Sequence, residues 1–270
     1  MKYLFDKWES LQRKIRNKYL FIFLDYDGTL TPIVETPQKA VISKETKDLL
    51  RVLARAPRCK IAVISGRSLR DIKKKVGLKK IIFVGNHGLE IEGRKIKHVN
   101  MLSLRYRSLL RKIKRDLEKN LACVKGVILE DKGLSFTVHY RLVESGDIPK
   151  VKSIFKEATE LLSLKNKIKA KTGKMIFEVS PPLEWNKGKA ALWLLARHKF
   201  SSKEKMILPI YIGDDRTDED AFKVLNRNGI TVFVGNPRSS HAEYYLKDTK
   251  EVNRFIKKTI DLLAEKPCQN

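Results

Sequence analysis

The apolar residues of this chain fall into short, nearly continuous runs near both ends. Phe21–Leu24, Ile61–Ile64 and Ile81–Val84 come first, and Ile207–Ile212 and Ile230–Val234 follow Pro182. Between them apolar residues recur at helical spacing. Lys44 to Ala56 places Leu49, Leu50, Leu53 and Ala54 on one face behind Ser43, a candidate N-cap. Ser68–Val76, Lys187–His198 and Glu219–Leu225 read as further helices, and a last one carries Val252, Phe255, Ile256 and Ile260. Leu4, Trp8, Leu11 and Ile15 form one face of a short amphipathic helix at the N-terminus. Short continuous apolar strands alternating with helices predict an α/β fold whose parallel sheet is covered on both faces. Ligands of such sheets bind at the carboxyl ends of the strands.

The stretch from 102 to 182 has a different rhythm. A helix bearing Tyr106, Leu109, Leu110, Ile113 and Leu117 leads into strands Val124–Asp131 and Leu134–Leu142 around a Lys-Gly turn. A helix from Pro149 to Leu162 follows, with Asp147 near its N-cap, and then strands Lys167–Lys171 and Lys174–Ser180 meeting at Thr172-Gly173. Helix–hairpin–helix–hairpin predicts a small α/β domain at 102–182, inserted into a core made of 1–101 and 183–270. Strand alternation puts Phe136, Val138, Tyr140, Leu142, Met175, Phe177 and Val179 on a greasy face. The opposite, open face receives Glu130, Lys132, His139, Arg141, Lys174 and Glu178. That face is either a solvated exterior or a surface over a polar ligand. Mixed acids and bases suit a polyhydroxylated molecule better than a bare anion.

Composition adds limits. In 270 residues, 42% hydrophobic and 33% charged, no apolar run approaches the ~18 residues of a membrane span. Asp6 and Glu9 with no apolar segment argue against a secretory signal. Cys59, Cys123 and Cys268 are few, odd in number and far apart, so neither a disulfide framework nor a zinc site is expected, and the compartment is expected to be the reducing cytoplasm. The net charge of +26 is dispersed, densest at Arg105–Lys119 and Lys165–Lys174, and both stretches interleave with apolar residues at structural periods. A solvated basic surface is the first reading, and an unidentified acidic partner the second. A monomer is expected.

The candidate chemistry sits where strands end. Phe21–Leu24 runs into Asp25 and Asp27, like charges two positions apart on one side of the chain. Such carboxylates raise each other's pKa unless a cation intervenes. An EF-hand does not fit, because Gly28 is at its fourth position and Thr36 at its twelfth. A turn capped by two acids remains possible beside a magnesium site with a nucleophilic carboxylate. Ile61–Ile64 runs into Ser65-Gly66-Arg67, a hydroxyl, a permissive turn and a helix start suited to phosphate. Asn186 caps a helix opening on Lys187, which could neutralise phosphate or lie on the surface. Ile207–Ile212 runs into five acids within seven residues, Asp214, Asp215, Asp218, Glu219 and Asp220. Helix capping explains the last three, but not Asp214 and Asp215.

DYDGT, SGR, the helix-opening Lys187 and GDD, in that order, resemble the haloacid-dehalogenase phosphatase superfamily. LDYDGTLTPIVETPQKA, FVGNHGLEIEG, FTVHYR, FEVSPP, NKGKA and GDDRTDEDAF are similar, more narrowly, to the trehalose-6-phosphate phosphatases. The likeness runs from about Phe21 to Phe233. It implies a Rossmann-like core with an inserted cap domain of the C2 type, and hydrolysis of a sugar phosphate with Mg²⁺. On that resemblance Asp25 is the nucleophile, and Asp27 is the general acid and base. Mg²⁺ sits on Asp25, the Asp27 carbonyl and Asp214, with Asp215 or Asp218 near its waters. Ser65, Gly66, Arg67 and Lys187 hold phosphate, and Asn86 lines the site. Glu130, Lys132, Arg141, Lys174 and Glu178 bind the disaccharide, with His87 and His139 as further sugar or supporting contacts. Related phosphatases acting on sucrose-phosphate or a mannosyl-glycerate phosphate share the core motifs and stay open. A basic nucleic-acid-binding protein on an inactive scaffold is the distant alternative, with no nucleic-acid-binding signature behind it.

Overall fold

The computed structural model describes residues 1–201, 206–236 and 239–265; Cys268 lies outside them. The chain divides into two compact units, Met1–His98 with Trp185–Asn270, and Val99–Glu184.

In the first unit the strands are β1 (Lys2–Tyr3), β2 (Tyr19–Asp25), β3 (Cys59–Ile64), β4 (Ile82–Gly85), β5 (Glu90–Gly93) and β6 (Ile96–Val99), and helices α1 (Trp8–Ile15), α2 (Lys44–Leu53) and α3 (Leu69–Val76) lie among them. The second unit contributes α4 (Met101–Leu104), α5 (Arg107–Asn120), β7 (Ile128–Asp131), β8 (Phe136–His139), α6 (Ile148–Leu164), β9 (Lys169–Gly173) and β10 (Ile176–Ser180). The chain then returns to the first unit with α7 (Lys187–Ser201), β11 (Ile207–Gly213), α8 (Glu219–Leu225), β12 (Ile230–Val234), β13 (Tyr244–Leu246) and α9 (Thr249–Ala264).

The large sheet has the order β1-β13-β12-β11-β2-β3-β4-β5-β6. Its centre is parallel, with Ile22 opposite Ile210 on one side and Ile61 on the other, while β5 runs antiparallel to β4. Strand parity explains the nearly continuous apolar runs. Leu20, Ile22 and Leu24 point into one core with Leu11, Leu50, Ile72 and Phe255, and Phe21 and Phe23 point into another with Ala190, Leu194 and Phe222. Both faces of β2 are therefore dry, and polar residues first become tolerable at its carboxyl end. Ser43 accepts a hydrogen bond from the Thr46 amide at 3.0 Å, capping α2 as its sequence suggests. β1, β5, β6 and β13 lie beyond the strands that periodicity predicts.

The second unit is a four-stranded sheet of order β7-β8-β10-β9, all antiparallel, with α5 and α6 against one face. Phe136, Val138, Phe177 and Val179 are buried with Leu110, Ile113, Leu117, Val151 and Phe155. The basic run 105–119 becomes the exposed side of α5. Three local expectations change. β8 stops at His139, so alternation does not reach Leu142, which is 55% exposed. The β9–β10 turn lies at Lys174-Met175, not Thr172-Gly173, because Gly173 pairs with Ile176 and Met175 takes a φ of +62°. Lys174 is thus a turn residue, outside the reach of strand parity. Asp147 stands at the N-cap of α6, but its side chain accepts no capping hydrogen bond. Among the described residues no helix is long and apolar enough to cross a membrane.

Candidate active site

Four polar segments of the first unit emerge from strand ends or helix starts of the one sheet. Asp25 is the last residue of β2 and is buried; its Oδ1 accepts a hydrogen bond from Lys187 Nζ at 2.7 Å. Lys187 is the first residue of α7, set there by Asn186, whose Oδ1 accepts from the Lys189 amide at 2.9 Å. The same ammonium, 3% exposed, donates to Asp218 Oδ1 at 2.9 Å. Asp218 is fully buried and also accepts from the Tyr211 hydroxyl at 2.7 Å and the Asp215 amide at 3.2 Å.

Among the described residues, Asp25, Asp214 and Asp218 each offer a carboxylate oxygen, all within 4.8 Å of one another. Among the described residues, Asp214 Oδ1 is buried without a hydrogen-bond partner, and so is Thr29 Oγ1. One ammonium faces this cluster of acids, and the electrostatics show the deficit. Burial raises the Asp25 carboxyl well above the usual range, and Asp218, Asp214 and Asp215 add to the effect against the pull of Lys187. Burial, then Asp218 and Asp215, pushes Asp214 up to about 8. Burial opposes the charge on Lys187, but Asp218 and Asp25 outweigh it and hold the ammonium firmly protonated. Asp215 is the exception: desolvation opposes its charge, yet Lys187 and two hydrogen bonds from Thr217 hold it below the ordinary value. An orphaned oxygen among hard carboxylate donors, short of positive charge, fits a small divalent cation.

Gly28 makes this closeness possible. Its φ is +84°, and a Cβ there would lie 1.9 Å from Asp214 Oδ2. Gly28→Ala is expected to strain the backbone and displace the Asp214 carboxylate. Turnover at this site should fall by about 10²-fold, a loss that a 1 Å misplacement of a reacting group can cause. A steady-state assay beside a thermal scan checks this, and a variant with parental activity rejects it.

The other predicted residues of this unit surround the turn after β3. Ser65 is buried, and its Oγ accepts from the Arg67 amide at 3.1 Å. Gly66 passes so near His87 that a Cβ would lie 2.5 Å from the imidazole. The Asn86 amide donates to Arg67 O at 2.7 Å and the His87 amide to Ser65 O at 3.1 Å, which joins the 65–67 and 86–88 turns. Asn86 Nδ2 donates to Glu90 Oε2 at 2.5 Å. The Arg67 guanidinium forks onto both oxygens of Asp27, each at 2.7 Å.

In the second unit, Glu130, Thr137 and Glu178 share one row across the sheet. His139 Nε2 lies 2.9 Å from Glu130 Oε2, and Lys132 Nζ lies 3.7 Å from Glu178 Oε1. These four side chains share the face away from α5 and α6. Arg141 and Lys174 stand past the strand ends, with Arg141 Nη2 3.4 Å from Lys174 O.

The sequence model of the trehalose-phosphatase family matches residues 23–250. The chain belongs to the trehalose-phosphatase family. Trehalose-phosphate phosphatase B of Arabidopsis thaliana is 31% identical over 268 residues, covering 95% of this chain and 70% of that protein. Trehalose 6-phosphate phosphatase RA3 of Zea mays is 33% identical over 268 residues, covering 93% and 73%. The C-terminal domain of a C. albicans trehalose-6-phosphate phosphatase superposes with a TM-score of 0.79 at 25% identity, covering 96% of this chain and 98% of that one. A trehalose-6-phosphate phosphatase related protein gives 0.77 at 27% identity, covering 90% and 97%. The fold is accordingly the haloacid-dehalogenase α/β fold, with a Rossmann-like parallel core. Two features of this trehalose-phosphatase relative escape its sequence. Tyr211 looks like one more apolar strand residue, and its hydroxyl contact with Asp218 appears only in three dimensions. Arg67 looks like a phosphate ligand, and its partner lies 40 positions back.

Proposed function

We propose that the protein is a Mg²⁺-dependent phosphatase that hydrolyses trehalose 6-phosphate to trehalose and phosphate through an aspartyl-phosphate on Asp25. The observation that carries this reading is the buried Asp25–Lys187 contact beside the partnerless Asp214 oxygen, in a chain of this family. Asp25 attacks phosphorus, and the sugar oxygen departs with a proton from Asp27. Asp27 then takes a proton from the water that cleaves the acyl phosphate; such acid–base help is worth ~10² to 10⁴-fold. Lys187 holds Asp25 in line and balances the incoming phosphoryl charge, while Asp218, itself held by the Tyr211 hydroxyl, fixes the ammonium. Ser65, with the Gly66 turn, faces the transferred group; Asn86 and His87 line the same turn pair. The residues that would hold Mg²⁺ are Asp25, Asp214 and the Asp27 carbonyl, with Asp215 beside its waters; bound there it screens two mutually repelling anions.

The insert 102–182 acts as the cap in this reading. Glu130, Lys132, His139, Arg141, Lys174 and Glu178 offer the acids, bases and imidazole that hydroxyl groups require. The dispersed positive charge speeds the encounter with an anionic sugar phosphate, and a cytoplasmic setting suits such a substrate. Phosphate release across a panel of sugar phosphates with Mg²⁺ tests the proposal. Trehalose 6-phosphate should be turned over best. Glu178→Ala and Lys132→Ala should each lower kcat/KM for it by ~10-fold or more, consistent with loss of one charge-assisted hydrogen bond of ~1.5–3 kcal/mol. Hydrolysis of p-nitrophenyl phosphate should stay within a few-fold. A clear preference for another sugar phosphate would reassign the substrate and leave the chemistry standing.

A further inference from the structure

The Ser65-Gly66-Arg67 turn invites the reading that Arg67 grips phosphate. Its guanidinium is committed elsewhere. Nε donates to Asp27 Oδ2 and Nη2 to Asp27 Oδ1, both at 2.7 Å, a two-bond fork. Nη1 donates to Asp71 Oδ2 at 2.9 Å, and Nη2 also donates to Pro37 O at 2.9 Å. A guanidinium has five N–H groups, so four directed bonds leave little for a substrate. The base is 7% exposed and lies against the Tyr26 ring, 5.4 Å from its centroid. Tyr26 is itself buried, with its hydroxyl donating to Ala40 O at 3.2 Å. The Asp27 side chain is 42% exposed. The fixed, buried member of the pair is thus the arginine, and the accessible member is the aspartate.

We infer that Arg67 is a positioning residue for Asp27 and not a ligand of the phosphoryl group, with Asp71 bracing the guanidinium from behind. The inference rests on Asp27 being the acid–base group of the proposed reaction. The fork removes torsional freedom from an exposed carboxylate that must meet the leaving oxygen in one orientation. A lysine cannot substitute, because a single ammonium lacks the planar pair of parallel donors. The backbone of Arg67 adds rigidity, since its amide bonds Ser65 Oγ and its carbonyl receives the Asn86 amide.

The test compares kcat/KM for trehalose 6-phosphate and for p-nitrophenyl phosphate. This ratio covers the steps up to departure of the alcohol. It therefore isolates leaving-group protonation from the later use of Asp27 as a base. p-Nitrophenolate leaves without a proton, whereas a sugar alkoxide does not. Arg67→Lys and Arg67→Gln should each lose about 10²-fold on the sugar phosphate and only a few-fold on the aryl ester. Inhibition by inorganic phosphate should be unchanged. Asp71→Asn, which leaves the Asp27 fork intact, should show a milder loss of the same pattern and serves if the Arg67 variants do not fold. Parallel losses on both substrates with weakened phosphate inhibition would make Arg67 a phosphate ligand and overturn the inference. Equal losses with unchanged inhibition would reduce it to a structural residue and overturn the inference just as fully. Asp27→Asn separates the two levels. If it fails to discriminate between the substrates, the acid–base reading falls and takes this inference with it. If it discriminates and the Arg67 and Asp71 variants do not, only this inference falls.

Discussion

Asp25→Asn is expected to lower kcat for trehalose 6-phosphate by about 10⁴-fold or more, the scale on which enzymes lose turnover with their nucleophile. The same variant should unfold no earlier than the parent in metal-free buffer. The two halves of this expectation have separate causes. An amide oxygen keeps the size of the side chain and can still accept from Lys187, 2.7 Å away in the native protein, but it cannot form the acyl phosphate. The backbone of Asp25 remains paired within the sheet, opposite Ile64. Meanwhile one ionisable carboxyl leaves a crowded, dry cluster in which burial and the neighbouring aspartates already disfavour charge on both Asp25 and Asp214. Lys187 retains Asp218 as its partner. Phosphate release in a single turnover, read beside a thermal scan, checks both halves. Residual activity above about 1% would remove Asp25 from the role of nucleophile. Loss of a cooperative transition would place the defect in the fold.

The legibility of this chain divides along physical lines. Strands β2, β3, β11 and β12 are readable because both their faces are dry, which forces nearly continuous apolar runs whose polar ends stand out. Asp25, Ser65 and Asp214 are conspicuous for that reason alone. Burial periodicity also exposes the helices, down to Ser43 and Asn186 as caps. The edge strands are opaque. Lys2–Tyr3 and Tyr244–Leu246 are too short to show any period, and β5 and β6 carry mixed residues because they lie toward a sheet margin. Alternation places Glu130, His139 and Glu178 on one face because they lie inside strands; Lys174 and Leu142 lie beyond strand ends, where the two-residue period has no force. Within the site, the kinds of group are visible in the sequence but their pairings are not. Nothing local says that Lys187 divides itself between Asp25 and Asp218, or that Tyr211 completes the set. Such partnerships arise from which strand neighbours which, and the order of the sheet differs from the order of the chain.

Those partnerships make Lys187→Met the substitution with the largest expected effect on stability. Methionine fills nearly the same volume at the buried start of α7, so packing there changes little. Charge balance changes completely. Asp25 and Asp218, both buried, lose the ammonium that lies 2.7 and 2.9 Å from them, with Asp214 already nearby. Removing one partner of a buried ion pair costs about 3–5 kcal/mol, which in a chain of this size lowers Tm by on the order of 10 °C. Activity should fall as well, since the phosphoryl charge then meets carboxylates without compensation. The divalent cation supplies the distinguishing observation. A ligand at a hundred times its Kd stabilises the native state by about 2.7 kcal/mol, so Mg²⁺ should raise the Tm of the parent by several degrees over chelator. It should raise the Tm of Lys187→Met by more, because there the cation becomes the principal counter-charge to the cluster. A variant that unfolds within about 2 °C of the parent in chelator, a shift worth less than about 1 kcal/mol, would show that the lysine does not neutralise the buried acids. A Mg²⁺ response no larger than the parent's would show that the cation and the ammonium do not share the same carboxylates.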